Sequence, residues 1–231
     1  IDLAHSLTND DLLVYLIMGR LVVRTKELPE SVKVRNIARY HRSNRLRRLV
    51  SWIIASFQIL FTIKTKHRKD YLFIVTNPPF ATFLPLFCNN LFSLMIFDVY
   101  PDALTQTGVL PENSPLVRLW QKLNRKVYSR ADNIFTLTEG MASRLKEYSN
   151  ENMITVTPVW SDNEFFKPVL KNHNPFVTKH DLNDKFVVLY SGNLGATHNV
   201  EIIPKLASSV SYQNVLFLII GEGDRKKWLS E

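Results

Sequence analysis

The chain has 231 residues, 45% of them hydrophobic, and it contains a single cysteine. This apolar content is typical of a globular protein with a sizeable core, and the lone cysteine excludes an intramolecular disulfide framework. The net charge of +8 is concentrated in residues 20–70, where 14 basic and three acidic side chains give a local charge of +11. Such a segment suits nucleic acid, anionic lipid or a polyphosphate ligand.

Up to residue 156, predicted strands alternate with predicted helices. Apolar segments predict strands at Leu12–Met18, Tyr71–Thr76, Leu94–Phe97, Asn133–Leu137 and Met153–Val156, and an alternating pattern predicts a half-exposed or edge strand at Val32–Ile37. Helical spacing predicts helices at Asp2–Leu7, Arg45–Lys66, Phe80–Asn90, Pro115–Arg130 and Thr138–Tyr148. Ser114 is expected to cap the helix that begins at Pro115.

The predicted helix at Arg45–Lys66 contains the longest apolar run of the chain. At about 15 residues, this run is shorter than the roughly 20 residues that a membrane-spanning helix needs. A buried core helix is therefore the favoured interpretation.

The segment Phe186–Trp228 carries the most informative pattern. Apolar strands at Phe186–Ser191 and Val215–Ile220 are predicted to be buried, and each ends in a glycine turn. The residues between them, Asn199–Val210, have helical spacing. This is a βαβ unit, and open parallel sheets bind ligands at the carboxyl ends of their strands, where helix N-termini favour phosphate.

The alternation of strands and helices predicts an α/β protein with two doubly wound, parallel-sheet domains of Rossmann type. The first domain is expected at residues 1–171, a polar linker at 172–180, and the start of an incomplete second domain at 181–231. A complete core is expected mainly in the first domain, with the βαβ unit either exposed or completed by residues outside this sequence.

Several segments in fixed order resemble one known family. They are Thr76–Pro79, Phe97–Asp102, Tyr128–Asp132 with Thr136–Gly140, Thr157–Asp162 leading to Phe166–Pro168, Tyr190–Gly195 and Ile220–Gly223. By these segments the chain resembles the retaining glycosyltransferases of family four, which have the two-domain GT-B fold. It most resembles the bacterial members that build O-antigen, capsule and exopolysaccharide.

The resemblance implies transfer of a hexosyl or N-acetylhexosaminyl group from a nucleotide-sugar, expected to be UDP-linked, with retention at the anomeric carbon. The implied acceptor is a polyprenyl-diphosphate-linked saccharide. No metal and no cofactor beyond the nucleotide-sugar is implied. The expected location is cytoplasmic and peripheral to the anionic inner face of the plasma membrane, and no nucleic acid is expected as a partner.

The chain also departs from the family. Family members begin with a strand and a glycine-rich loop before the helix that Asp2–Leu7 is expected to end, and they carry a pair of glutamates late in the second domain. Neither feature is present here, so the chain is expected to be truncated at both ends. Many members place an Arg and a Lys after the first glycine turn of the second domain, where this chain has Ala196–Asn199.

Four polar residues of the first domain are candidates for a site because they follow predicted strands. Asp98 and Glu139 are the candidate catalytic residues, and each either caps a turn or helix or faces the reacting sugar in a cleft. Asn77 and Asp102 are candidates for the acceptor side. The alternatives are a stiff turn for Asn77 and a structural role for Asp102.

The candidate donor-binding residues lie in and after the two glycine turns. They are Gly192, Asn193, Gly195, His198, Gly221, Glu222 and Gly223. The glycines either only permit tight turns or let backbone N–H groups approach the donor diphosphate. His198 either is a solvated loop residue or helix cap, or stands near the phosphates in place of the absent basic pair.

The basic segment offers a candidate patch for the membrane or a lipid diphosphate. Its members are Arg39, Arg42, Arg45, Arg47 and Arg48. Each basic side chain near an anionic leaflet contributes on the order of 1 kcal/mol of binding. The alternatives are a solvated face and nucleic-acid contact, although no recognised nucleic-acid motif accompanies the run. Trp52, Phe57 and Phe61 beside the patch are either interfacial anchors or core residues.

Two other functions stay open from the sequence. One is a nucleotide-sugar epimerase or hydrolase of the same fold, because a fold does not determine its chemistry. The other is a catalytically inactive fragment or a membrane-surface binding module.

Overall fold

The computed structural model describes residues 2–8, 12–19, 27–39, 45–76, 78–159, 161, 163, 165–195 and 198–230. The chain divides into two compact units, residues 1–161 and residues 162–231, and each unit is described by itself. The division falls before the segment 172–180 that the sequence predicts as a linker. There, Lys171–His173 forms a 3-10 turn and Pro175–Lys179 forms a short helix, α6.

Strands alternate with helices in the first unit. The strands are β1 (Tyr15–Met18), β2 (Lys33–Asn36), β3 (Leu72–Val75), β4 (Phe92–Ile96), β5 (Asn133–Thr136) and β6 (Ile154–Val156). The α-helices are α1 (Asp2–Thr8), α2 (Arg45–Lys66), α3 (Asp102–Gln106), α4 (Pro115–Tyr128) and α5 (Glu139–Leu145), and 3-10 helices cover Pro79–Phe87 and Glu151–Met153. The predicted strands are confirmed with small shifts of their ends, and α3 is an additional helix.

The described strands of the first unit pair in parallel. β1 pairs with β2, and a second sheet has the order β3-β4-β5-β6. The hydrophobic core lies around this second sheet, where every residue of β4 is buried. Because parallel strands all end at the same edge of a sheet, the loops after β4 and β5 lie side by side.

The segment predicted as a helix at Phe80–Asn90 has a different geometry. It forms a 3-10 helix at Pro79–Phe87 with Pro85 inside it. Proline has no N–H to donate within an α-helix, and its ring crowds the preceding turn. The predicted helix is therefore present, but it is of the 3-10 type and ends at Phe87, before the predicted Asn90.

The predicted start of α4 is confirmed. Ser114 has extended backbone, and its hydroxyl oxygen accepts a hydrogen bond from the N–H of Val117 at 3.3 Å. Pro115 occupies the first helical position, where the missing N–H costs nothing. The helix ends at Tyr128, before the predicted Arg130.

Replacing Ser114 with alanine should lower the free energy of unfolding by about 1 kcal/mol, because an N–H group at the helix start loses its acceptor. Urea denaturation measures this difference. Ser129→Ala, at the exposed serine that follows the other end of α4, is the matched control. Equal effects of the two substitutions would show that the cap makes no specific contribution.

The long helix α2 packs by one face only. Ser51, Ala55 and Thr62 are buried, whereas many apolar side chains on the other side are exposed. The interpretation of α2 as a buried core helix is therefore wrong for the exposed side of the helix. By length and composition alone, Leu49–Lys66 would suffice to cross a membrane, but its buried face packs within the first unit.

The second unit contains the βαβ arrangement that the sequence predicts. Its elements are β7 (Phe186–Asn193), α7 (Ile202–Ser209), β8 (Val215–Glu222) and α8 (Lys226–Ser230), and β7 pairs with β8 in parallel. Phe186 and Leu189 are 66% and 56% exposed, so the prediction that these strands are buried is wrong. A parallel strand is buried only when both faces of its sheet are covered. The expectation of an exposed βαβ unit, with the core mainly in the first unit, is confirmed.

Candidate active site

The two candidate catalytic carboxylates lie at one edge of the four-stranded sheet. β4 and β5 pair so that Ile96 stands beside Thr136. Asp98 and Glu139 follow the ends of these two strands, and both side chains are exposed. The structure therefore brings both carboxylates to the same edge. Asn77, the acceptor-side candidate, lies outside the described residues.

The loop that carries Asp98 is held by side chains of neighbouring elements. The hydroxyl oxygen of Thr76 accepts a hydrogen bond from the N–H of Phe97 at 3.0 Å. The amide of Asn124, fully buried in α4, donates to the carbonyl oxygen of Tyr100 at 2.6 Å. These contacts fix the loop on both sides of Asp98, so the carboxylate is presented from a restrained backbone.

Asp102 makes a structural contact. It stands in the first turn of α3, and its Oδ1 accepts a hydrogen bond from the hydroxyl of Tyr148 at 2.9 Å. Burial, followed by this hydrogen bond, raises the pKa of the Tyr148 hydroxyl, and burial also raises the pKa of the neighbouring Tyr128. The structural alternative for Asp102 is thereby supported, and its acceptor-side role stays a prediction.

Thr138, and not Glu139, caps α5. The Thr138 hydroxyl oxygen accepts a hydrogen bond from the N–H of Met141 at 3.2 Å. Glu139 is the acidic residue of the first turn, where the positive end of the helix dipole stabilises its negative charge. The capping alternative for Glu139 is therefore wrong, and its carboxylate stands exposed at the edge of the sheet.

The two glycine turns of the second unit lie side by side. In the pairing of β7 with β8, Gly192 stands beside Gly221. The N–H of Leu194 donates to the carbonyl oxygen of Glu222 at 2.9 Å, and the N–H of Arg225 donates to the carbonyl oxygen of Leu194 at 2.9 Å. The turn after β8 is thus hydrogen-bonded to the turn after β7.

Backbone packing explains two of the glycines. A Cβ atom at Gly221 would lie 2.0 Å from the carbonyl oxygen of Gly192, and a Cβ atom at Gly223 would lie 2.4 Å from the carbonyl oxygen of Leu194. Both positions need glycine for these contacts alone, which favours the tight-turn alternative there. At Gly192 the nearest atom to a Cβ would be the Tyr190 hydroxyl oxygen, at an ordinary 3.5 Å. Packing therefore does not explain Gly192, and its approach to a phosphate stays a prediction.

The other donor-side candidates surround these turns. A Cβ atom at Gly195 would lie 2.9 Å from the amide nitrogen of Asn193, so the Asn193 side chain lies over the turn. The N–H of His198 donates to the carbonyl oxygen of Gly195 at 3.1 Å, and the His198 side chain is exposed. Glu222 is exposed and forms an ion pair with Lys226. The structure gathers these candidates at one end of the β7–β8 sheet, and their contact with a donor stays a prediction.

The sequence interpretation missed a cation at this end of the sheet. The Nε of Arg225 lies 3.1 Å from Oε1 of Glu201, and its backbone N–H joins the two turns. The signal was present in the sequence as the basic run Arg225–Lys227, directly after the second glycine turn. Cations therefore stand at the glycine turns although Ala196–Asn199 contains neither Arg nor Lys.

The remaining charged candidates are only partly described. Arg39 and Arg47 of the predicted basic patch are exposed, and Arg42 lies outside the described residues. Arg45 and Arg48 belong to α2, but the structure does not describe their side chains. Within the described part of the chain, no group of three or more His, Cys, Asp or Glu residues could hold a metal ion. Transfer without a metal stays a prediction.

Comparison with known proteins points to bacterial glycosyltransferases. No family model matches the chain. The chain is 29% identical over 195 residues to glycosyltransferase WbjE of Pseudomonas aeruginosa. The matched segment covers 80% of this chain and 48% of the relative. The chain is also 27% identical over 144 residues to colanic acid biosynthesis glycosyl transferase WcaI of Escherichia coli (strain K12). Here the matched segment covers 60% of this chain and 35% of the relative. Both names give the assignment as provisional.

The chain spans about half or less of the length of these curated relatives. The predicted resemblance to bacterial glycosyltransferases of polysaccharide biosynthesis is confirmed by this similarity. The α/β class is confirmed by the parallel sheets flanked by helices, an arrangement that fits a GT-B-like fold.

Proposed function

We propose that the full-length protein is a glycosyltransferase that moves a sugar from a nucleotide-sugar to a lipid-linked saccharide in bacterial surface polysaccharide biosynthesis. The observation that carries this proposal is the pair of exposed carboxylates, Asp98 and Glu139, which follow the ends of two neighbouring parallel strands in a chain similar to bacterial glycosyltransferases. Open parallel sheets bind their ligands at the edge where these carboxylates lie.

In the proposed reaction, the bond between the anomeric carbon and the donor diphosphate breaks, and a bond from that carbon to the acceptor hydroxyl oxygen forms on the same face. The acceptor proton passes to the leaving diphosphate, so no separate protein base is needed. Positive charge develops on the sugar ring, and Asp98 or Glu139 stabilises it. Cations and backbone N–H groups stabilise the negative charge of the leaving diphosphate.

The donor is a UDP-linked hexose or N-acetylhexosamine, transferred with retention and without a metal ion. The acceptor is a polyprenyl-diphosphate-linked saccharide, reached at the cytoplasmic face of the membrane. The exposed Arg39 and Arg47 support this acceptor, because cations near the surface bind anionic lipid headgroups.

A thermal-shift screen of the full-length protein with UDP-, GDP- and dTDP-sugars, run beside the free nucleotides, tests the donor. A ligand that binds only the folded protein raises its Tm, and the UDP-linked series should give the largest rise.

Product analysis then decides which reaction the protein catalyses. An elongated acceptor supports transfer, whereas free sugar or an isomer as the only product would replace it by hydrolysis or epimerisation. A protein that neither binds nor cleaves any donor would be a binding module.

Replacing Asp98 with asparagine should lower kcat/KM for transfer by about 100-fold or more, because the carboxylate charge is lost while the side-chain shape is kept. Steady-state transfer kinetics measure this, with Glu139→Gln assayed in parallel. Asp132→Asn is the matched control, because Asp132 is an exposed residue at the opposite, amino end of β5. Unchanged kcat/KM in the Asp98 variant would remove Asp98 from the site.

A further inference from the structure

An exposed apolar surface lies on α2, and we name it the α2 outer face. Its side chains are Val50, Ile53, Ile54, Phe57 and Phe61. At about 3.6 residues per turn, these positions fall on one side of the helix, and the buried Ser51, Ala55 and Thr62 fall together on a different side. Phe57 and Phe61 are 69% and 66% exposed. Large contiguous apolar surfaces are rare on monomeric proteins and mark interaction sites, so we expect this face to contact a partner.

Basic side chains flank the α2 outer face. Arg47 and Lys64 are exposed residues of α2 itself, and Lys64 lies two turns after Phe57 on the same side of the helix. Arg35 stands in β2, and the exposed Arg39 follows that strand. The surrounding segment, residues 20–70, has only three acidic residues against 14 basic ones. An apolar face flanked by cations is complementary to an anionic lipid surface, whose headgroups are negative and whose interior is apolar.

A groove beside the α2 outer face has the same mixed chemistry. It has a volume of about 270 Å³ and is lined by Arg35, Asn36, Ile37, Phe57, Gln58 and Phe61. The side-chain oxygen of Gln58 accepts a hydrogen bond from the N–H of Ala38 at 2.7 Å, which joins α2 to the segment after β2. The lining places two phenylalanine rings next to a guanidinium group and amides. It suits an amphiphile with a phosphate at one end and carbon chains at the other.

We propose that the α2 outer face docks on an anionic lipid bilayer, with Phe57 and Phe61 among the upper acyl chains and the flanking Arg and Lys residues among the lipid phosphates. The helix lies in the plane of the interface and does not cross the bilayer, because Ser51, Ala55 and Thr62 on its other side are buried in the first unit. This inference deepens the proposed function and rests on it for its purpose, since a lipid-linked acceptor is reached from the bilayer surface.

Co-sedimentation of the full-length protein with vesicles tests the inference. The protein should bind vesicles of phosphatidylglycerol and phosphatidylethanolamine, should bind phosphatidylcholine vesicles much more weakly, and should be released by high salt. The double variant Phe57→Ser, Phe61→Ser should bind about tenfold more weakly, because two large apolar side chains no longer leave water. Phe87→Ser is the matched control, since Phe87 is 58% exposed on the 3-10 helix Pro79–Phe87. An equal loss in both variants would overturn the assignment to α2.

A second measurement guards against variants that fail to fold. Ile53→Cys, labelled with a polarity-sensitive dye in a background in which Cys88 and any cysteine outside these 231 residues are replaced by serine, should report an apolar environment only when anionic vesicles are added. A dye that is already shielded without vesicles would overturn the inference, because protein would then cover the face.

Donor binding separates the docking proposal from the transferase proposal. A protein that binds a nucleotide-sugar but no vesicles refutes only the docking surface, and one that binds vesicles but no donor refutes only the transferase.

Discussion

Replacing Gly221 with alanine is expected to lower the free energy of unfolding of the second unit by roughly 3 kcal/mol. The new Cβ atom would lie 2.0 Å from the carbonyl oxygen of Gly192 on the paired strand and 3.1 Å from Cγ of Leu194. Backbone atoms of a paired strand cannot rotate aside as a flexible side chain can. β7 and β8 must therefore separate locally, which weakens the hydrogen bond from Leu194 to Glu222.

Hydrogen exchange followed by mass spectrometry measures this loss where it occurs. Peptides of β7 and β8 should exchange faster in Gly221→Ala than in the parent protein, while peptides of β4 and β5 should not change. Gly140→Ala is the matched control, because a Cβ atom there would lie 3.9 Å from the Thr138 hydroxyl oxygen, in the first turn of α5. Alanine is a better helix former than glycine, so this control should be neutral or slightly stabilising. Parent-like exchange in Gly221→Ala would refute the packing explanation.

The pair formed by Gly192 and Gly221 shows why the sequence could not assign the glycine turns. In the sequence both turns follow an apolar strand and look alike. In the structure Gly221 is required by its neighbour across the sheet, whereas a side chain at Gly192 would meet only ordinary contacts. The difference depends on how two strands pair, which is not encoded in the spacing of either strand.

Local features of the fold could be predicted because they depend on contiguous residues. The bounds of α2 agree with Arg45–Lys66, and the cap at Ser114 follows from a serine placed before a proline and a helical pattern. The contacts that hold the Asp98 loop could not be predicted in this way. Asn124 and Tyr100 are 24 residues apart in sequence. Their contact arises only when α4 packs beside the loop after β4.

Above about pH 10 the protein should lose stability with each pH unit, and the Tyr148→Phe variant should lose less. Burial raises the pKa of Tyr128 and of Tyr148 above 10.0, the ordinary pKa at which tyrosines of an unfolded chain ionise, so both hydroxyls stay protonated in the folded protein. The unfolded chain then binds fewer protons than the folded chain. The free energy of unfolding therefore falls by about 1.4 kcal/mol per pH unit for each such tyrosine, and no such loss occurs below that range.

At neutral pH the parent protein should be more stable than the Tyr148→Phe variant, because the Tyr148 hydroxyl donates a hydrogen bond to the Asp102 carboxylate. Its removal should cost about 1.5 kcal/mol there. The two stability curves should therefore cross at about pH 11, where the loss from keeping Tyr148 protonated equals the gain from its hydrogen bond. Urea denaturation from neutral to alkaline pH measures both curves, and other titrating groups cancel in the difference. Tyr212→Phe, at a tyrosine that is 76% exposed, is the control for the loss of a tyrosine hydroxyl as such, and the difference between the two variants isolates the buried hydroxyl. A parallel curve for Tyr148→Phe would mean that Tyr148 ionises as readily in the folded protein as in the unfolded chain, contrary to its burial.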